Sequence, residues 1–254
     1  MILKEETFIT PFGLSRTLHI YLPNGWDTSG RRYPVLYMFD GHNLFYDEDA
    51  TYGKCWGLRD YLDYTDTQVI VVGVECNHEG NNRLSEYCPY DVPDDWWGGF
   101  EGRGIQYMDW LVGELKPWVD RELPTLPDRS HTLIGGSSMG GLMSLYAVGC
   151  YNHVFSRGAC LSPSVRLCYP QLWQDLEKAP VDRDTRIYIS WGSEEVRDKL
   201  ALAKASADNL ALSHLMSEKG ADVYPYLHVQ GSHSEASWEE EVPLFMEYLM
   251  EWNG

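Results

Sequence analysis

The sequence predicts an α/β protein with a mostly parallel central sheet covered by helices on both faces. Three observations carry that expectation. Short, continuously apolar runs such as "YPVLYMFD" and "QVIVVGVE" read as strands buried on both sides. Helix-like runs alternate with them along the chain, the order expected of a parallel sheet with crossover helices. The 254 residues are 44% hydrophobic and 23% charged, enough apolar material for a large core. No Pro/Gly/Ser linker, repeat or low-complexity segment divides them, so residues 1–254 are expected to form a single domain.

In chain order, "EETFIT" and "RTLHIYLP" read as an opening antiparallel pair joined by the turn "PFGLS". "YPVLYMFD" and "QVIVVGVE" are the next strands, followed by an irregular stretch from Cys76 to Gly102. An amphipathic helix is expected over "GIQYMDWLVGELKPWVDREL". A strand at "HTLI" then passes into a helix at "GLMSLYAV", and "VFSRGACLS" and "RIYISWGS" supply two more strands. The long helix "KLALAKASADNLALSHLMSEKG" ends in glycine, a common helix stop; "DVYPYLHV" is the last strand and "EEVPLFMEYLMEW" the last helix. In such sheets ligands sit beyond the carboxyl ends of the strands, so the chemistry belongs in the loops that follow them.

Composition narrows the partners. A net charge of -18 repels phosphate backbones and anionic membrane surfaces, which argues against nucleic-acid or membrane binding. "MILKEETFITPFG" lacks a basic stretch followed by an apolar one, and nothing approaches the roughly 20 apolar residues of a membrane span. A cytoplasmic protein is expected. Six cysteines without C-x-x-C spacing are expected to be free, packed thiols, and neither a metal nor a cofactor is expected.

The stretch "HTLIGGSSMGGLMSLYAVG" concentrates glycine between a strand and a helix. Glycine there is justified by a positive φ or by an approach too close for a Cβ. Gly136, Ser138 and Gly140 spell G-x-S-x-G, the turn that thrusts a nucleophilic serine out of a strained strand-to-helix junction. Ser137 falls at the x position, which leaves Ser138 as the nucleophile. A serine hydroxyl needs an adjacent base that is itself oriented by a third group.

Of eight histidines, His42 and His233 directly follow expected strands on the ligand side. His233 comes after the last strand, downstream of both the serine and the acidic residues, in the order Ser, acid, His. For the acid, Glu194 and Glu195 follow "IYISWG", with Asp198 one turn later; Glu is also favoured at a helix N-terminus without any catalytic role. An oxyanion donor is expected at the amide after the nucleophile, Met139, with a second from the loop after an earlier strand.

Together these residues carry a resemblance. "YPVLYMFDGHNLF", "NNRLSEYCPY", "ELKPWVDREL", "GGSSMGGLMSLYA", "WGSEE" and "GSHSEASW" are similar to the putative esterase family of α/β-hydrolases. That family includes esterase D, feruloyl and acetyl-xylan esterases, siderophore esterases and mycolyltransferases. The resemblance implies an α/β-hydrolase fold and a serine esterase, with the triad carboxylate at the third position after Gly192, on Glu195, and the base at His233, with Glu235 and Trp238 beside it. Several relatives carry Asp where this chain has Glu. The resemblance also places the second oxyanion donor in the backbone near His42 or Asn43, and marks Arg83 as a recurrent position that binds substrate or ties its loop down.

The irregular stretch before Gly102 is expected to wall the substrate site, with Trp96, Trp97 and Phe100 covering an acyl or aromatic group or sealing the loop against the core. The expected partner is a small-molecule ester, hydroxycinnamoyl or acetyl in type, together with further copies of the chain if it forms a homo-oligomer. Acyl transfer to another hydroxyl would use the same triad, and a non-catalytic binding scaffold would be expected to break it.

Overall fold

The computed structural model describes residues 1–93 and 98–251, and these fall into two compact units, Met1–Leu133 and the chain from Ile134 onward. The first contains β1 (Ile2–Ile9), β2 (Leu14–Tyr21), β3 (Val35–Phe39), α1 (Leu58–Thr65), β4 (Ile70–Val74), α2 (Asn82–Glu86), α3 (Gly104–Trp110) and α4 (Lys116–Glu122). Its strands lie in the order β1-β2-β4-β3. β1 and β2 form the expected antiparallel pair, with Ile2 opposite Tyr21 and Ile9 opposite Leu14, although β1 starts three residues earlier than "EETFIT". β3 and β4 run parallel, Val35 opposite Ile70 and Phe39 opposite Val74, and every residue of both is buried. Their continuous apolar runs follow from burial on both faces.

The helix expected over residues 104–123 is one helical run with a π turn at Leu111–Leu115 between α3 and α4. Pro117 explains the wider winding. Its nitrogen has no hydrogen to give the ladder, and its ring crowds the carbonyl four residues back. In this unit two helices lie where none was expected. α1 and α2 are short, and α1 buries only Leu58 and Leu62, one i, i+4 pair, which is too little periodicity to stand out in sequence.

The strand β5 (Thr132–Ser137) leads into the second unit, which continues with α5 (Met139–Cys150), β6 (Arg157–Leu161), α6 (Tyr169–Lys178), β7 (Arg186–Gly192), α7 (Lys199–Glu218), β8 (Asp222–His228) and α8 (Glu235–Met250). The strand order is β5-β6-β7-β8, with β6, β7 and β8 parallel in register. β8 closes this side of the sheet as a mostly exposed edge strand, which is why Pro225 is tolerated in it. α5 is apolar on every side and almost wholly buried, as a helix without a polar face must be. α6 escaped the sequence reading for the same reason as α1, since it buries only Leu172 and Leu176. α8 begins at Glu235, five residues before the expected start, with Pro243 inside it.

The six cysteines are free, five of them buried. Among the described residues, no helix is long and apolar enough to cross a membrane.

Candidate active site

Ser138 stands between the last residue of β5 and the first of α5, with φ 59° and ψ −117°. A non-glycine residue with positive φ is held in place by its surroundings. Here its amide donates to the Leu161 carbonyl (2.9 Å), and its own carbonyl accepts from the amides of Leu142 and Ser164 (both 3.0 Å). The glycines beside it are required by close approach. A Cβ on Gly136 would stand 2.9 Å from the Gly140 carbonyl carbon, and one on Gly141 only 2.5 Å from the Leu161 oxygen. The positive φ belongs to the serine itself.

Of the two adjacent serines, Ser137 is buried and Ser138 is partly exposed. The Ser138 hydroxyl lies 3.3 Å from Ser164 Oγ. Met139 opens α5, so its amide is one of those with no acceptor inside the helix, at the end where the helix dipole favours negative charge.

Glu195 lies in the turn after β7. Its Oε1 accepts from the Ser162 hydroxyl and from the Gly192 amide, each at 2.6 Å, and its Oε2 is 3.2 Å from His233 Nδ1. Burial opposes ionisation of this carboxyl, but the hydrogen bonds from His233, Ser162 and the Gly192 amide outweigh it and hold the group below its ordinary range. A carboxylate has no proton to give, so it is Nδ1 that carries a hydrogen in this contact. The imidazole also sits edge-on to Trp238, 5.2 Å between centroids, and the Trp238 indole N–H donates to Ser162 Oγ (2.9 Å). Trp238 and Ser162 thus brace His233 and Glu195 from behind.

The other two acids have different tasks. Glu194 is exposed, and its amide donates to the Gly231 carbonyl (2.9 Å). Asp198 caps α7, accepting from the Ala201 amide at 2.9 Å. Ser162, the hydroxyl that anchors Glu195, was not among the residues expected at the site. Its signal was a serine directly after β6, in "CLSPS", at the end of the sheet where ligands bind.

His42, Asn43 and Arg83 belong to the first unit. The turn Gly41–Asn43 follows β3, and Asp40 enters it with φ 56°. The Asn43 amide donates to the Asp40 carbonyl (2.9 Å), so of the two expected amides His42's is the one outside that turn bond. Burial lowers the His42 pKa to about 4. Arg83 forms a bidentate pair with buried Asp40, both contacts 2.7 Å, and its charge lies 5.3 Å from the centre of the Tyr87 ring. Burial opposes both charges, and each holds the other ionised: Asp40 is lowered and Arg83 raised. This is the geometry of a clamp between the loop after β4 and the turn after β3. Trp96 and Trp97 lie outside the described residues. Phe100 pairs by backbone with Val92 in an isolated bridge.

A family model described as putative esterase matches residues 10–244. An uncharacterised protein, YbbA, of Bacillus subtilis is 24% identical over 210 residues, 81% of this chain and 80% of its own length. Esterase MT1326 of Mycobacterium tuberculosis is 28% identical over 176 residues, 67% of this chain but 35% of that longer protein. Among solved structures, an IroE-like serine hydrolase from Shewanella oneidensis superimposes with a TM-score of 0.77 at 18% identity, covering 97% of this chain and 81% of that one. At that identity the likeness speaks for the fold, which is the α/β-hydrolase fold.

Proposed function

Because the chain belongs to the putative esterase family, and is therefore an esterase, we propose that it hydrolyses small carboxylic esters of the acetyl or hydroxycinnamoyl type through an acyl-enzyme. Ser138 is the nucleophile, His233 the base and Glu195 the orienting acid. The observation that carries this assignment is the seating of Glu195: two donors hold Oε1, leaving Oε2 for His233 Nδ1.

In the acylation step the Ser138 hydroxyl rotates from Ser164 toward His233 Nε2. Its oxygen attacks the ester carbonyl as its proton passes to Nε2, and the Met139 amide donates to the oxyanion. Collapse of the tetrahedral adduct breaks the C–O bond, and the alcohol leaves with the proton from Nε2. Water then delivers a proton to Nε2, attacks the acyl-serine and releases the carboxylic acid with regeneration of Ser138. Throughout, Glu195 remains a carboxylate and stabilises the imidazolium.

The test is a panel of p-nitrophenyl and methyl hydroxycinnamate esters assayed with the wild type, Ser138→Ala and Ser137→Ala. Ser138→Ala is expected to lose about 10⁴- to 10⁶-fold in kcat with an unchanged thermal transition. An active Ser138→Ala beside an inactive Ser137→Ala would transfer the nucleophile to the other serine. Mass spectrometry of the quenched reaction should find the acyl group on the peptide containing Ser138, and its appearance on an added alcohol would mark a transferase.

A further inference from the structure

We propose that His42, Cys76 and His78 form a binding site for a divalent transition-metal ion of the zinc type, a property apart from ester hydrolysis. Each side chain offers one ligand atom, and the three atoms lie within 4.8 Å of one another. Two imidazoles and a thiolate are the mixed nitrogen and sulfur set that Zn²⁺ and Co²⁺ accept, with a fourth position left for water. The spacing was silent because Cys76 and His78 follow β4 while His42 follows β3. These strands are parallel neighbours, so the topology joins residues that lie 34 positions apart.

A second observation points to a ligand. His42 is 4% exposed, its Nε2 is 2.9 Å from Thr51 Oγ1, and its Nδ1 is buried with no hydrogen-bond partner. Donation from Nε2–H to Thr51 leaves a bare lone pair on Nδ1. Ligating histidines are commonly fixed in this way, through the ring nitrogen that does not touch the metal. His78 brings the second imidazole alongside, edge-on with 4.7 Å between centroids, and it is exposed enough to swing inward without disturbing the core.

Cys76 is buried, with its thiol hydrogen-bonded to Asp40. On binding, the S–H bond breaks, the proton leaves to solvent and the thiolate pair forms the sulfur–metal bond. Asp40 keeps its two contacts to Arg83, and no electrons are transferred. A cavity of about 260 Å³ lined in part by Arg16, Glu75, Cys76 and His78 supplies the way in. Glu75 Oε2 lies 3.8 Å from His78 Nε2, with its Oε1 held 2.8 Å from His19 Nε2.

The experiment titrates the metal-free 254-residue chain with Co²⁺ alone. One ion per chain should bind, with tetrahedral d–d absorption and a thiolate-to-cobalt charge-transfer band, both removed by Zn²⁺. Calorimetry in buffers of different ionisation enthalpy should show the release of about one proton per ion. Cys76→Ser should abolish the charge-transfer band and weaken binding at least about tenfold. His78→Ala, a change at an exposed position, should weaken binding about as much and leave the unfolding of the metal-free protein unchanged. His214→Ala, on the exposed face of α7, should bind as the wild type does. A wild type without the charge-transfer band, or either site variant with wild-type affinity, overturns the proposal. No readout requires turnover, so an inactive wild type would count against the proposed esterase mechanism and not against this site.

Discussion

Glu194 and Glu195 are chemically identical neighbours, and their backbone directions make them different. One faces solvent, while the other is bound by a hydroxyl and an amide before it meets His233. Glu195→Gln, which keeps the shape and removes the charge, should lower kcat by about 10² to 10⁴. Glu194→Gln should change it by less than about tenfold, as expected of an exposed charge. A reversed ranking in steady-state kinetics would assign the acid to Glu194. The same carboxylate links stability to pH. Because its folded pKa is depressed, its contribution is fully present above the unfolded value of about 4.3 and is lost as pH falls through the lower folded value. The gap in Tm between the wild type and Glu195→Gln should therefore be widest above about pH 5 and close in stronger acid. A gap that does not vary with pH would mean that the charge contributes nothing. The order serine, acid, histidine was legible in the sequence because Ser138, the pair Glu194 and Glu195, and His233 each follow a strand, while the preference for Glu195 came from the resemblance. Ser162 was not legible, since its role depends on φ 45° at one serine and on an indole 76 positions further on.

At the scale of elements, the end of β7 is fixed by a contact between backbones. A Cβ on Gly192 would lie 2.2 Å from the Gly231 oxygen and 3.2 Å from Glu195 Cγ. Gly192→Ala must push the loop that carries His233 away from the acid. It should lower kcat by about 10², the effect of a displacement near 1 Å, at a stability cost of about 1–3 kcal/mol. Gly113, exposed in the π turn with open space around its Cα, is the opposite case. Gly113→Ala should raise stability by about 0.5–1 kcal/mol with activity unchanged, measured by denaturant unfolding and the same ester assay. Destabilisation at that position would show that the wide turn needs glycine's freedom. All eight strands of the described residues were legible: β3 to β7 are buried on both faces and show as largely apolar runs, and the more exposed β1, β2 and β8 show as short runs rich in β-branched and aromatic residues. The helices α1, α2 and α6 were not, because each buries two residues or fewer and the rest of its surface reads as loop.

Over the whole chain the dominant electrostatic fact is the charge of -18. Self-repulsion of that size opposes folding, and salt screens it, the Debye length falling from about 30 Å at 0.01 M to about 10 Å at 0.1 M. Raising NaCl across that range should lift Tm by about 2–4 °C if screening returns on the order of 1 kcal/mol. A fall would mean that surface ion pairs such as Lys4–Asp49 outweigh the repulsion. The fold class and family were legible at this scale, because alternation and motif order run along the chain. The cluster of His42, Cys76 and His78 was not, because it exists only where β3 and β4 lie side by side. The position of His233, on the loop after β8, also sets a schedule for the protein's birth. Ser138 leaves the ribosome 95 residues ahead of His233, which at translation rates of about 5–20 residues per second is an interval of about 5–20 s. Under the proposed mechanism the nascent chain carries the elbow serine through that interval without its base, and activity is expected only once β8 and the loop after it have been made.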